Sequence, residues 1–78
     1  MESHKIYVDV NARFSKDGML SPRSIIWTDG HEYMIQKVTD VRRAASLRAG
    51  SAGLRYTCII DGAESHLYYE DNNMWFVE

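Results

Sequence analysis

Four side chains near the end of the chain are of the types that recognise ligands. Arg55, His66, Tyr68 and Trp75 bring together a guanidinium, a titratable imidazole and two flat rings. Set on neighbouring strands of one sheet, they would form a surface that stacks bases and contacts phosphate, or clamps a peptide against aromatic rings. The plainer alternative is a Tyr68–Trp75 cross-strand pair that only stabilises a half-exposed face. A second set is Arg42, Arg43 and Arg48, in a segment rich in Gly and Ala. Glycines let backbone approach a phosphate closely, and arginine suits bidentate phosphate contact. The alternative here is a solvated basic loop on an acidic protein. Ala-Gly-Ser-Ala-Gly lacks the lysine and the spacing of a phosphate-binding P-loop.

Catalytic constellations do not stand out. No Ser-His-Asp ordering, glycine-flanked nucleophile or close carboxylate pair is visible, and the acidic residues gather at turns such as Asp17, Asp29, Asp61 and Asp71. Cys58 is the single cysteine, which excludes an internal disulfide and any multi-cysteine metal site. His4, His31 and His66 are too scattered to read as a ligand set. The expectation is therefore no catalytic residues, no metal and no cofactor.

The formal charge of −2 weakens a nucleic-acid reading while leaving room for a local basic patch. No apolar stretch approaches the ~18 residues that would cross a bilayer, and the first residues do not read as a signal peptide. With a lone thiol, this points to the cytoplasm and to no membrane partner.

These side chains must be positioned by strands. Lys5 to Phe14 alternates strictly, with Ile6, Val8, Val10, Ala12 and Phe14 on one face, and so predicts a strand with one buried and one wet side. Ser15 to Gly18 is a turn. Pro22 cannot donate to a ladder, so the next strand is expected to begin at or just after it. Ser24 to Thr28 is β-rich and runs into Asp29-Gly30, a strong hairpin signal. A two-residue loop there would set Thr28 opposite His31, Ile26 opposite Tyr33 and Trp27 opposite Glu32. Both faces of that ribbon would carry large apolar groups, to be covered by the sheet's own curvature or by a partner.

Alternation then fails around Gln36-Lys37, where a β-bulge would restore the phase and bend the strand. The preferred reading is a bent strand to about Arg42, followed by a loop or single helical turn over 43–53. The rival is a short helix from Thr39 or Asp40 to Gly50. Leu54 to Ile60 alternates again, and Asp61-Gly62 gives a second two-residue turn. It sets Arg55 opposite Tyr68, Tyr56 opposite Leu67 and Cys58 opposite Ser65. After a turn at 71–73, Met74 to Val77 makes a short closing strand. The expected core is Leu54, Tyr56, Cys58, Ile60, Leu67, Tyr69, Met74 and Phe76, with Arg55, His66, Tyr68 and Trp75 outside.

Hairpin spacing without a secure helix in 78 residues predicts one all-β domain over 1–78, with 1–4 as a disordered tail. The expected architecture is a small antiparallel barrel or rolled sheet of five to six strands, SH3-like. The segment Gly-Leu-Arg-Tyr-Thr-Cys-Ile-Ile-Asp-Gly, the later Tyr-Tyr-Glu and Trp-Phe-Val-Glu, and the preceding Asp-Val-Arg-Arg-Ala-Ala-Ser-Leu-Arg-Ala-Gly carry a resemblance. Over most of its length the chain resembles a group of small uncharacterised proteins of clostridia and related bacteria. The resemblance implies a bacterial cytoplasmic accessory protein and transfers no site residue. The functional expectation is a non-enzymatic binding module for a protein partner or a second copy of itself. Single-stranded nucleic acid on the aromatic and arginine face is the alternative, and a purely structural domain is a further one.

Overall fold

The computed structural model describes residues 5–45, 52–70 and 73–78. Its strands are β1 (Ile6–Phe14), β2 (Leu20–Ile26), β3 (Glu32–Met34), β4 (Lys37–Ala45), β5 (Ala52–Ile60), β6 (Ala63–Glu70) and β7 (Trp75–Val77). They form a seven-stranded sheet in the order β3-β2-β1-β7-β6-β5-β4, with every pairing antiparallel. The expected all-β rolled sheet is present. Among the described residues it has seven strands rather than five or six, because the bent strand expected after Asp29-Gly30 is divided into β3 and β4.

That division makes the sheet curl. β3 and β4 occupy opposite ends of the sheet, yet Ile35 and Gln36 alone join them. Ile35 N–H donates to Arg23 O at 3.0 Å, beside β3, while Gln36 N–H donates to Ile59 O at 2.8 Å, beside β4. Two consecutive amides thus tie the two ends of the sheet together at one corner, giving a half-barrel. The Tyr56 hydroxyl donates to Leu20 O at 2.7 Å, a second link from β5 to β2.

Ile25, Tyr56, Cys58, Leu67 and Trp75 form the buried cluster, with Val8, Val10, Leu20, Leu54, Ile60 and Tyr69 packed around it. The β5–β6 hairpin pairs as expected, from Leu54↔Tyr69 through Tyr56↔Leu67 to Ile60↔Ala63. Asp61 and Gly62 both have positive φ (50° and 76°), as a two-residue type I′ turn demands.

Several expectations need correction. Trp75 is in the core and Phe76 faces the other way, because β6 and β7 pair as Tyr69↔Trp75 and Tyr68↔Phe76. Met74, placed inside by the sequence reading, is 44% exposed. The physical reason is the parity that a three-residue connection imposes. Glu70 N–H donates to Met74 O and Asn73 N–H to Glu70 O, so three residues, ending in Asn73 at φ 65°, separate the paired positions. With Glu70 opposite Met74, odd-numbered residues of β6 face odd-numbered residues of β7, so Trp75 joins Leu67 and Tyr69 inside.

The same pattern recurs at Ser15/Gly18/Met19 and at Trp27/Gly30/His31, with Gly18 and Gly30 in the left-handed region at φ 81° and 88°. The Asp29-Gly30 hairpin is therefore a three-residue loop. It pairs Ile25 with Tyr33 and Ile26 with Glu32, one residue away from the expected register.

β2 begins at Leu20 and includes Pro22, contrary to the expected start. The ladder to β1 shifts here, from Asn11↔Ser24 to Ala12↔Pro22, and β3 reaches only Ser24 to Ile26. A proline is tolerated beside such a bulge, because the ladder is interrupted there. Phe14 (69% exposed) and Ile6 (39%) lie more open than the partly buried Val8 and Val10, since the ends of β1 run past the core. β4 carries the expected bulge, at Val38–Asp40 rather than Gln36-Lys37. It continues as strand to Ala45 and β5 starts at Ala52, so the loop or helical turn expected over 43–53 is corrected at both ends, and the rival helix is replaced by strand over 39–45. Residues 46–51 of that expectation, and the tail at 1–4, lie outside the described residues.

Candidate functional site: an aromatic row and an apolar trough

On the outer face one row of directly opposed residues crosses five strands. Arg42 on β4 faces Arg55 on β5, Arg55 faces Tyr68 on β6, Tyr68 faces Phe76 on β7, and Phe76 faces Tyr7 on β1. The Tyr68 and Phe76 rings stack with centroids 4.8 Å apart and planes 3° from parallel. Tyr7 meets Phe76 edge-on at 5.6 Å, and Lys5 Nζ lies 4.7 Å from the centroid of the same ring. These contacts leave Phe76 5% exposed on a face expected to be open.

Glu70, itself buried, anchors the end of this cluster. It accepts a hydrogen bond from the Tyr7 hydroxyl at 2.8 Å and lies 3.4 Å from Lys5 Nζ. Such partners are what make a buried carboxylate tolerable. The bond to Glu70 also raises the Tyr7 pKa above its ordinary value, with desolvation and the carboxylate's charge adding to it.

Of the seven side chains singled out in the sequence, Arg42, Arg55 and Tyr68 fall in this row. Arg55 is half-buried, and its Nε is a buried donor without a hydrogen-bond acceptor among the described residues. Arg42 is paired to Asp40, Nε to Oδ2 at 2.7 Å. His66 sits on β6 opposite Thr57, two residues along from Tyr68. Arg43 is exposed opposite Leu54, with the parity of the core side. Trp75 is removed from the outer face altogether, packing on Tyr56 at 5.6 Å and Tyr69 at 4.6 Å. Arg48 lies outside the described residues.

The open side of the half-barrel holds a cleft that the sequence reading did not identify. An apolar trough of ≈ 290 Å³ runs between the Asp29-Gly30 and Asp61-Gly62 hairpins. Ile25, Trp27 and Tyr33 form one wall, Ile60, Leu67 and Val77 the other, and Asp61, Ser65 and His66 supply its polar positions. Trp27 and Tyr33 are half-buried, and His31 packs against Tyr33 with ring centroids 4.4 Å apart. The signal that pointed here was the surplus of apolar groups on both faces of the β2–β3 ribbon. The register that gathers Ile25, Trp27 and Tyr33 on one side was set by the three-residue loop.

Cys58 is fully buried, and burial pushes its thiol up to about 11, so at neutral pH it is a protonated packing group. No group of three His, Cys, Asp or Glu side chains among the described residues is arranged to hold a metal ion. Among the described residues no helix is long and apolar enough to cross a membrane. The chain matches no family model, no curated protein and no solved structure.

Proposed function

We propose that this protein is a non-enzymatic binding module that receives an apolar side chain of a partner polypeptide in the trough between its two Asp-Gly hairpins. The observation that carries this reading is the trough's chemistry: aromatic and aliphatic walls with a few polar groups at fixed positions, the composition of a recognition pocket. Asp61, exposed at the turn, favours a ligand with a basic residue beside its apolar anchor. The corner at Ile35-Gln36, shared by both ends of the sheet, supports reading the curl as SH3-like. A cytoplasmic setting, and kinship with the small clostridial proteins, belong to the same proposal.

Selection from a displayed library of random peptides tests it. Enrichment of sequences pairing an aromatic or aliphatic residue with Lys or Arg is expected on the native protein, and its loss on a Trp27→Ala/Tyr33→Ala variant. Equal recovery on both proteins would sink the reading.

One observation favours a second reading, single-stranded nucleic acid on the outer face: Arg42 and Arg55 are adjacent beside Tyr68. Against it, the Tyr68–Phe76 stack takes one face of each ring and Phe76 is only 5% exposed, which leaves Tyr68 alone to offer a face for base stacking. Titration of a labelled oligonucleotide at low and high salt separates the two, since phosphate contacts must weaken as salt rises.

A further inference from the structure

We propose that β4 is a docking edge for a second copy of this chain, paired antiparallel about a two-fold axis at Val41. β4 is nine residues long and is the terminal strand of the sheet. Among the described residues its ladder partner is β5 alone, so its other side presents unpaired backbone N–H and C=O groups. Proteins usually guard such an edge with charges and bulges, and β4 has both: the bulge at Val38–Asp40 and the side chains of Lys37, Asp40, Arg42 and Arg43. Charges of one sign would repel a second copy. Here the two central charges are opposite in sign and flank Val41 symmetrically.

Geometry restricts the register, and charge selects among the centres Asp40, Val41 and Arg42. A two-fold axis relating antiparallel strands stands normal to the sheet and preserves its faces, so it must pass midway between one residue and the same residue of the second copy. Centred on Asp40, the pairing opposes two aspartates; centred on Arg42, it opposes two arginines. Centred on Val41, it sets Asp40 against Arg42 of the second copy, and Arg42 against Asp40 of the second copy. Opposed unlike charges stabilise a strand pair and like charges destabilise it.

The monomer already prepares this arrangement. Arg42 Nε and Asp40 Oδ2 are 2.7 Å apart with side chains 67% and 42% exposed, so a dimer would close a square of four alternating charges. Val41, opposite the buried Tyr56 yet 47% exposed, would meet its own copy on the inner side. This edge contributes no residue to the trough, so the two proposals stand separately.

Sedimentation equilibrium from dilute to millimolar protein tests the pairing, with far-UV circular dichroism confirming that each variant is folded. The native chain is expected to show a monomer–dimer equilibrium. Asp40→Arg and Arg42→Asp should each weaken it by roughly tenfold or more, since each turns both central pairs into like-charge contacts. The doubly exchanged Asp40→Arg/Arg42→Asp protein should regain the native constant, and an equimolar mixture of the two single variants should form a heterodimer. A native chain that stays monomeric at the highest concentration overturns the proposal. So does a dimer indifferent to the single reversals, or a folded exchange variant that fails to recover.

Discussion

Asp29-Gly30 and Asp61-Gly62 are the same dipeptide set between β-forming runs, and they build different loops. At 61–62 both residues take positive φ and Ile60 pairs with Ala63, so the loop has two residues. At the other turn only Gly30 is left-handed. Trp27 N–H donates to His31 O, Gly30 N–H to Trp27 O, and the Asp29 carboxylate accepts from His31 N–H at 2.8 Å. That last bond is the local side-chain-to-backbone contact Asp forms in turns, and it belongs to the three-residue loop rather than to the type I′ turn.

The choice between them is made by burial. Two residues at 29–30 would place Glu32 beside Trp27. Three place Ile25, Trp27 and Tyr33 together along the trough and leave Glu32 on the far side, where its carboxylate accepts from Ser24 Oγ at 2.6 Å and Asn11 Nδ2 at 3.2 Å. The dipeptide permits either loop; the surrounding core selects one.

The connection ending in Asn73 makes the same choice with a larger consequence, since it puts Trp75 in the core. Replacing Trp75 with Ala should therefore cost about 3–5 kcal/mol in urea denaturation, the usual cost of emptying a buried aromatic site. A loss below about 1 kcal/mol would return Trp75 to the outer face and restore the two-face parity read from the sequence.

A smaller effect separates the two Asp-Gly turns directly. Asp61→Val places a β-branched residue at φ 50° and should cost about 1–2 kcal/mol. Asp29→Val loses only one exposed side-chain-to-backbone bond, about 1 kcal/mol or less. If thermal melts rank the two variants the other way, the proposed difference between the loops is wrong.

The smallest contrast is at the glycines. An added Cβ at Gly30 or Gly62 meets nothing within 4 Å, so each Gly→Ala change carries only the left-handed backbone penalty, about 1 kcal/mol. Equal losses at both sites are expected. A much larger loss at either would reveal packing that the open space around these turns does not contain.

Legibility followed the same division. The β5–β6 hairpin could be read residue by residue, because a type I′ turn fixes register locally and alternation then carries it along both strands. Arg55 and Tyr68 were placed together for that reason. Phe76 was missed as their neighbour, and Trp75 wrongly included, because three residues across the 71–73 connection pair odd positions with odd, whereas the expected faces pair odd with even. The trough was missed for a related reason. Its walls come from β2, β3 and β5 to β7, and no spacing within one segment encodes how far the sheet curls.

The sequence alone determined that the chain is all-β, where most strands lie, and one hairpin's register. These follow from alternation and turn residues, which act over a few positions. The tertiary structure decided which way Trp75 and Phe76 face, the three-residue loop at Asp29-Gly30, and the meeting of the sheet's two ends at Ile35-Gln36. Those outcomes rest on long-range competition for burial, in which shifting one turn by a residue exchanges a buried aromatic for an exposed one.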